Sequence, residues 1–182
     1  MKLESLESDR LVLREPTMAD ATALHQYLSD KKVNRWLPRV PKPYTLKHAK
    51  EWIRSVPQQV RHDSGLPFSI FLRDTNKVIG GMTLMSINRV DRSAELGYWL
   101  AREYWGKGYT QEAGRLLCRY AFSNKQRFHR IYAWVHSGNF ASINVVEKLG
   151  FVREGTCRKA TKITGRWCDD YLYAMLKSDL IR

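Results

Sequence analysis

Tyr104-Trp105-Gly106-Lys107-Gly108-Tyr109-Thr110 stands between the apolar stretch Ala94-Glu95-Leu96-Gly97-Tyr98-Trp99-Leu100 and a helical pattern that opens at Thr110. A strand, a two-glycine loop and then a helix make a device for holding phosphate. Glycine lets the backbone turn tightly and present successive N–H groups, and the helix start adds partial positive charge. Lys107 and Arg102 bring full charges nearby. The loop matches neither nucleotide signature: no GK[ST] is present, and the third glycine and downstream acid of the dinucleotide pattern are missing. Alone, it fits an ordinary turn as well as a phosphate cradle, so its flanks decide the reading.

Before the loop, Phe68 to Leu72, Val78 to Ile87 and Ala94 to Leu100 read as three strands. They are joined by the turn-rich Asp74-Thr75-Asn76 and Asn88-Arg89-Val90-Asp91, suited to antiparallel hairpins. After the loop, Ala113, Leu116, Leu117, Tyr120 and Ala121 fall on one helical face between Thr110 and Asn124. Ile131 to His136 is apolar on both faces and predicts a central strand. Asn139 caps a short helix that ends at Leu149, with Gly150 as its left-handed stop. Strands over 151–160 and 167–177 close the chain as a hairpin around Thr164-Gly165.

At the other end, Arg10 to Arg14 alternates like a strand. Thr17 with Asp20 offers an acidic capping box for a helix burying Ala21, Leu24, Tyr27 and Leu28. A loop broken by Pro38, Pro41 and Pro43 follows. Thr45 then caps a helix that buries Ala49, Trp52, Ile53 and Val56 and ends near Pro57 or shortly after it. There is no repeat, low-complexity tract or linker, so 1–182 reads as one domain with a mixed sheet and helices on both faces.

The bulk properties narrow the function classes. No apolar run reaches the roughly 20 residues of a bilayer span, and the polar start is no secretory signal, so the expectation is a cytoplasmic protein without membrane contact. Cys118, Cys157 and Cys168 show no metal-ligand spacing and read as reduced thiols, with no metal expected. The net charge is +13, which favours anionic partners: a polyphosphate ligand, an acidic protein or RNA. Residues 31–62 carry nine Lys/Arg against Glu51 alone, 102–130 carry seven against two acids, and 153–166 carry five against Glu154. Charge spread this way belongs to several faces of one domain.

Taken together, the 94–100 strand, the WGKGYT loop and Asn139-x-x-Ser142…Glu147-Lys148-Leu149-Gly150-Phe151 resemble the GNAT acetyltransferases. Ser8-Asp9-Arg10-Leu11-Val12-Leu13-Arg14 at the start and Gly155…Arg158…Asp169-x-x-x-Tyr173 at the end are similar to the RimJ/RimL branch of protein N-terminal acetyltransferases. The resemblance implies an α+β fold with a central, mostly antiparallel mixed sheet of about seven strands and helices on both faces. It implies acetyl-CoA as co-substrate and a homodimer, which is common in the branch. The family's phosphate loop, Gln/Arg-x-x-Gly-x-Gly/Ala, maps onto Trp105, Gly108 and Thr110, within the cofactor-binding run Trp105, Gly106, Lys107, Gly108, Tyr109 and Thr110. Tryptophan at the leading position occurs in that branch. The backbone of Trp99 and Leu100 would pair with the pantetheine arm, Asn139 would contact coenzyme A, and Ser142 would lie near the sulfur.

Acetyl transfer to an amine needs a neutral amine, a fixed geometry, oxyanion stabilisation and a destination for a proton. Backbone N–H groups of the Trp99 strand would polarise the thioester carbonyl. An α-amine, with a pKa of about 8, needs less help than a lysine at about 10.4. Glu95 is the leading base candidate, as the sole acid of its apolar strand. Its alternative is a structural glutamate satisfied by Arg92 or another neighbour. His136, at a strand end, is the second candidate, against a packing role. Val146 stands where many GNAT enzymes carry a tyrosine that serves as acid to the leaving thiolate, so Ser142 or water must take that part. Ser142 reads equally as a backbone-capping residue. Asp169 and Asp170 would line the acceptor entrance, and Trp36 would wall the acceptor cleft. Three readings follow: acetylation of the N-terminal α-amine of a (ribosomal) protein, acetylation of a small amine such as a polyamine or antibiotic, and a non-catalytic RNA-binding or acyl-CoA-sensing module.

Overall fold

The computed structural model describes residues 3–180. Its eight strands form one sheet in the order β1-β2-β3-β4-β5-β6-β8-β7. These are β1 (Leu6–Glu7), β2 (Leu11–Arg14), β3 (Gly65–Leu72), β4 (Val78–Asn88), β5 (Ser93–Leu100), β6 (Arg130–His136), β7 (Val152–Ile163) and β8 (Arg166–Leu176). Every neighbouring pair is antiparallel except β5 with β6. The helices are α1 (Ala21–Leu28), α2 (Lys31–Asn34), α3 (Leu46–Arg61), α4 (Tyr109–Ala121) and α5 (Phe140–Leu149).

The two-residue period of β3 divides the core. Phe68 and Ile70 belong to the large cluster that includes Leu117 of α4 and Val146 and Leu149 of α5. Phe71 points the other way, into a cluster with Tyr27 of α1. The helices therefore cover both faces, and α1 with α2 and α3 encloses a further cluster of Leu24, Val33, Tyr44 and Ile53.

Local chemistry forms the helices as the sequence predicts. The Asp20 carboxylate accepts from the Thr17 amide at 2.7 Å, and α1 buries Ala21, Leu24, Tyr27 and Leu28. Thr45 Oγ1 accepts from the His48 amide, while His48 Nδ1 accepts from the Thr45 amide, closing a capping box with histidine in the acid's place. Thr164 and Gly165, both at positive φ, turn β7 into β8.

Four features differ from the sequence reading. The strand β1 is an eighth, paired with β2 through Leu6 and Glu7. Three residues into the stretch read as a loop, α2 adds a single turn capped by Asp30, whose carboxylate accepts from the Lys32 amide. Helix α3 leaves Trp52 half-buried against the cleft and outside its buried stripe, which is Ala49, Ile53, Val56 and Val60 and carries the helix to Arg61, shortly after Pro57. Strand β6 is not apolar-covered on both faces: Ile131, Ala133 and Val135 are buried, while Trp134 on the opposite face is 41% exposed.

One close approach fixes the strand that carries the site. A Cβ on Gly81 of β4 would lie 2.6 Å from Trp99 Nε1 and 3.2 Å from Cε2. The indole of Trp99 therefore lies flat over β4, where no larger residue fits. Gly81→Val is expected to destabilise the protein by about 2 kcal/mol through overpacking, seen as a fall in the urea midpoint without a change in slope.

Candidate active site

Strands β5 and β6 pair only through Ser93, Ala94 and Glu95 against Arg130, Ile131 and Tyr132. From Leu96 onward β5 keeps its partner β4, down to Gly80↔Leu100. Beyond Tyr132, β6 keeps β8, down to His136↔Asp170. The two parallel strands thus diverge into a V, and along Leu96 to Leu100 the edge of β5 facing β6 has no partner strand among the described residues. A cleft of about 2090 Å³ runs through this opening, from the start of α4 to Trp36.

At one end of the cleft, Gly106 and Gly108 both take positive φ, +75° and +79°, and Gly108 is the left-handed N-cap of α4. The N–H groups of the first turn of α4 face outward here, with the helix dipole behind them. Trp105 fastens the loop to the strand. Its Nε1 donates to the Leu100 carbonyl at 2.8 Å, tying the loop to the end of β5. The carbonyl of Leu100 is thereby engaged, and the side chain of Trp99 packs against Tyr27 with ring centroids 6.5 Å apart. Lys107 is exposed and does not line the cleft; its Nζ lies over the Tyr104 ring. Thr110 is buried and Tyr109 half-buried.

The cations at this end are ones the sequence reading passed over. Arg10 donates from Nε to Glu112 Oε2 at 2.7 Å and from Nη1 to the Lys107 carbonyl at 3.2 Å, so the residue just before β2 braces the loop. Arg115 and Arg119, one helical turn apart, line the cleft with Lys148, and none of the three has a carboxylate within 4.0 Å among the described residues. Their spacing in α4 was the available signal; Arg10 lies too far away in sequence to give one.

Just beyond the tip of β6, Asn139 caps α5, its amide donating to the His136 carbonyl at 2.8 Å and its Oδ1 accepting from the Ser142 amide at 3.3 Å. The Ser142 hydroxyl makes no backbone cap and meets Tyr98 Oη at 2.5 Å. Val146 is fully buried one turn further along α5.

At the other end, His136 Nδ1 lies 2.7 Å from Asp170 Oδ1, and both residues are 8% exposed. Asp170 Oδ2 accepts from Thr161 Oγ1 at 2.6 Å. Trp36 stacks on the His136 ring with centroids 6.2 Å apart, as a wall of the cleft. Of the two neighbouring acids only Asp170 faces the cleft; Asp169 Oδ1 accepts from the Lys159 amide instead. Glu95 also lines the cleft, but its Oε2 accepts from Arg39 Nη2 and Ser86 Oγ, each at 3.0 Å. Its partner is Arg39 rather than Arg92.

An extended arm bearing amides fits the unpartnered edge of β5, since it can take the hydrogen bonds of a missing strand. A phosphate fits the start of α4, and Arg115, Lys148 and, in the last turn of α4, Arg119 offer charge further along the cleft. Residues 10–152 match the model of the acetyltransferase (GNAT) domain. The chain belongs to the GNAT acetyltransferases.

As such it is an acetyl-CoA-dependent acyltransferase, and its relatives lie in the RimJ/RimL-like branch. It is 34% identical to an uncharacterised N-acetyltransferase, p20, of Bacillus licheniformis, over 97% of this chain and 98% of that protein. It is 27% identical to the ribosomal protein uS5-alanine N-acetyltransferase of Escherichia coli, over 96% of this chain and 91% of the other. Among solved structures it is similar to Mycobacterium smegmatis RimJ in complex with CoA-disulfide, with TM-score 0.86 and 25% identity, over 98% and 88% of the two chains. No helix among the described residues is long and apolar enough to cross a membrane.

Proposed function

We propose that this GNAT enzyme acetylates the N-terminal α-amine of a protein by direct attack in a ternary complex, with His136 as the base. The observation that carries the reading is the buried His136–Asp170–Thr161 chain at the acceptor end of the cleft. Asp170 holds one imidazole nitrogen, which fixes the ring and leaves Nε2 to take a proton from an incoming amine. The ion pair with Arg39 and the bond from Ser86 occupy Glu95 Oε2 and favour a positioning role for it.

Acetyl-CoA supplies an acyl group activated as a thioester. The N–H groups of Gly106 to Thr110, with Arg115, Arg119 and Lys148, hold its phosphates. The unpartnered edge of β5 beside Trp99, where the backbone groups of Tyr98 and the Leu100 N–H face away from β4, aligns its arm and presents N–H groups to the thioester oxygen, and Asn139 contacts the coenzyme from the far side of the V. Bound this way, the reacting carbon is fixed in the V and the amine arrives from the Trp36 side.

Charge at the mouth supports a protein acceptor over a polyamine. Within 31–62, Lys47 pairs with Glu51 and Arg39 with Glu95, while Lys32 and Arg35 border the cleft with no carboxylate partner among the described residues. Such a rim repels a polycation and attracts an acidic segment. A ribosomal protein agrees with the net charge of +13 and with the names of the relatives. The test is thiol release from acetyl-CoA with free-N-terminus peptides, N-terminally blocked peptides and polyamines. Turnover is expected with the first alone; turnover on polyamines but not on free-N-terminus peptides would reject the proposal.

A further inference from the structure

The leaving sulfur has no obvious donor in this chain, because Val146 occupies the position from which a tyrosine would reach it, and Val146 is fully buried. A hydroxyl pair nevertheless links β5 to α5 where the V has opened. Tyr98 comes from β5 and Ser142 from the first turn of α5, and their oxygens are 2.5 Å apart. Tyr98 Oη also lies 3.2 Å from the Ser142 carbonyl, and neither hydroxyl has another partner among the described residues. Burial pushes the Tyr98 phenol well up, and no charged side chain contributes to that shift. It therefore stays a protonated donor across the working range.

We propose that Tyr98 is a positioning residue for the leaving group: its O–H donates to Ser142 Oγ and so turns the Ser142 proton toward the coenzyme sulfur. One hydrogen can lie between the two oxygens. With Tyr98 supplying it, the serine proton is free to point into the cleft that Ser142 lines. The hydroxyl that the family tyrosine would bring from α5 is in effect brought from the opposite strand and relayed through serine.

The chemistry balances without an added reagent. The amine nitrogen bonds to the acyl carbon, the C–S bond breaks, and its electron pair goes to sulfur. Ser142 stabilises the resulting thiolate by hydrogen bonding and keeps its proton; a serine alkoxide is not formed. The proton shed by the amine passes to His136 and then to solvent, and solvent finally protonates the thiolate. The positive end of α5, where Ser142 sits at the third helical position, acts in the same sense.

The inference rests on coenzyme A lying in the V, and it can be tested without any acceptor. Coenzyme A bound to the enzyme is titrated by the ultraviolet absorbance of its thiolate. An ordinary thiol titrates at about 8.5, and the bound thiol is expected about one pH unit lower, roughly tenfold in the ionisation constant. Tyr98→Phe and Ser142→Ala should each return it to within about half a unit of 8.5, whereas Ser142→Thr, which keeps a hydroxyl, should not. With an acceptor, both loss variants should lower kcat about 5–20-fold with KM for acetyl-CoA within about twofold, and the double variant should be no slower than Ser142→Ala. A bound thiol that titrates normally in the native enzyme, or identically in Tyr98→Phe, overturns the proposal. Losses that add in the double variant overturn it too, since they would mean independent structural damage. Failure of every amine to react would instead strike the functional reading, leaving the thiol titration to decide this one.

Discussion

Replacing His136 by alanine is expected to lower kcat for a peptide acceptor by about 10²–10³-fold, the range for loss of a positioned base. KM for acetyl-CoA should change little, because His136 lies at the acceptor end of the cleft and the phosphate-holding loop at the other. The split between the two parameters separates this from structural damage: turnover of the peptide falls while binding of acetyl-CoA is kept. His136→Ala also removes one of the two side-chain hydrogen bonds to the buried Asp170 carboxylate, at a cost of about 1–3 kcal/mol. His136→Asn, which retains a donor for Asp170 but no base, should fold better than His136→Ala and be as inactive. Glu95→Gln should lose no more than about fivefold, since its bonds to Arg39 and Ser86 make it a brace between the α2–α3 loop and the sheet. A His136→Asn variant that keeps its turnover while Glu95→Gln loses it would move the base to Glu95.

Gly108→Val is expected to weaken coenzyme A binding by about 10–100-fold. At φ +79° the residue sits in the left-handed region, where a side chain costs roughly 1–2 kcal/mol and a β-branched one more. A new Cβ would meet little, the nearest atom being Arg10 Nη2 at 3.7 Å, so the penalty is conformational and not a clash. The loop relieves it by rotating away from the geometry that aims its N–H groups outward, and the binding site is lost while the core is kept. Lys107→Ala is the informative contrast. The side chain lies outside the cleft, so affinity should stay within about twofold despite the lost charge. Calorimetric titration of both variants with coenzyme A distinguishes a backbone cradle from a charge-based one.

What could be read from the sequence was local or periodic. The Thr45 and Asn139 caps, the Gly150 stop and the turn at Thr164-Gly165 each depend on residues within a few positions, and each stands where expected. The hidden part consists of contacts between distant segments. Asp170 is 34 residues from His136, and Tyr98 is 44 from Ser142. Arg10 braces a loop 97 residues away. Sequence pattern ranks Glu95 above His136 because an acid in an apolar strand stands out. Tertiary structure supplies Glu95 with Arg39 and gives His136 its carboxylate, and it is this exchange of partners that changes their chemistry. Trp105 is a similar case: the branch's substitution acquires a reason once its indole is seen to fasten the loop to Leu100.

The measurement closest to the central claim is a tandem mass spectrum of the product formed from acetyl-CoA and a peptide carrying both a free α-amine and an internal lysine, with acidic residues after the first position. At neutral pH roughly a tenth of α-amines are uncharged, against fewer than about one lysine in a thousand. The account predicts a single acetyl group confined to the N-terminal fragments and abolished in His136→Asn. Acetylation of the lysine side chain, with the α-amine left free, would contradict it.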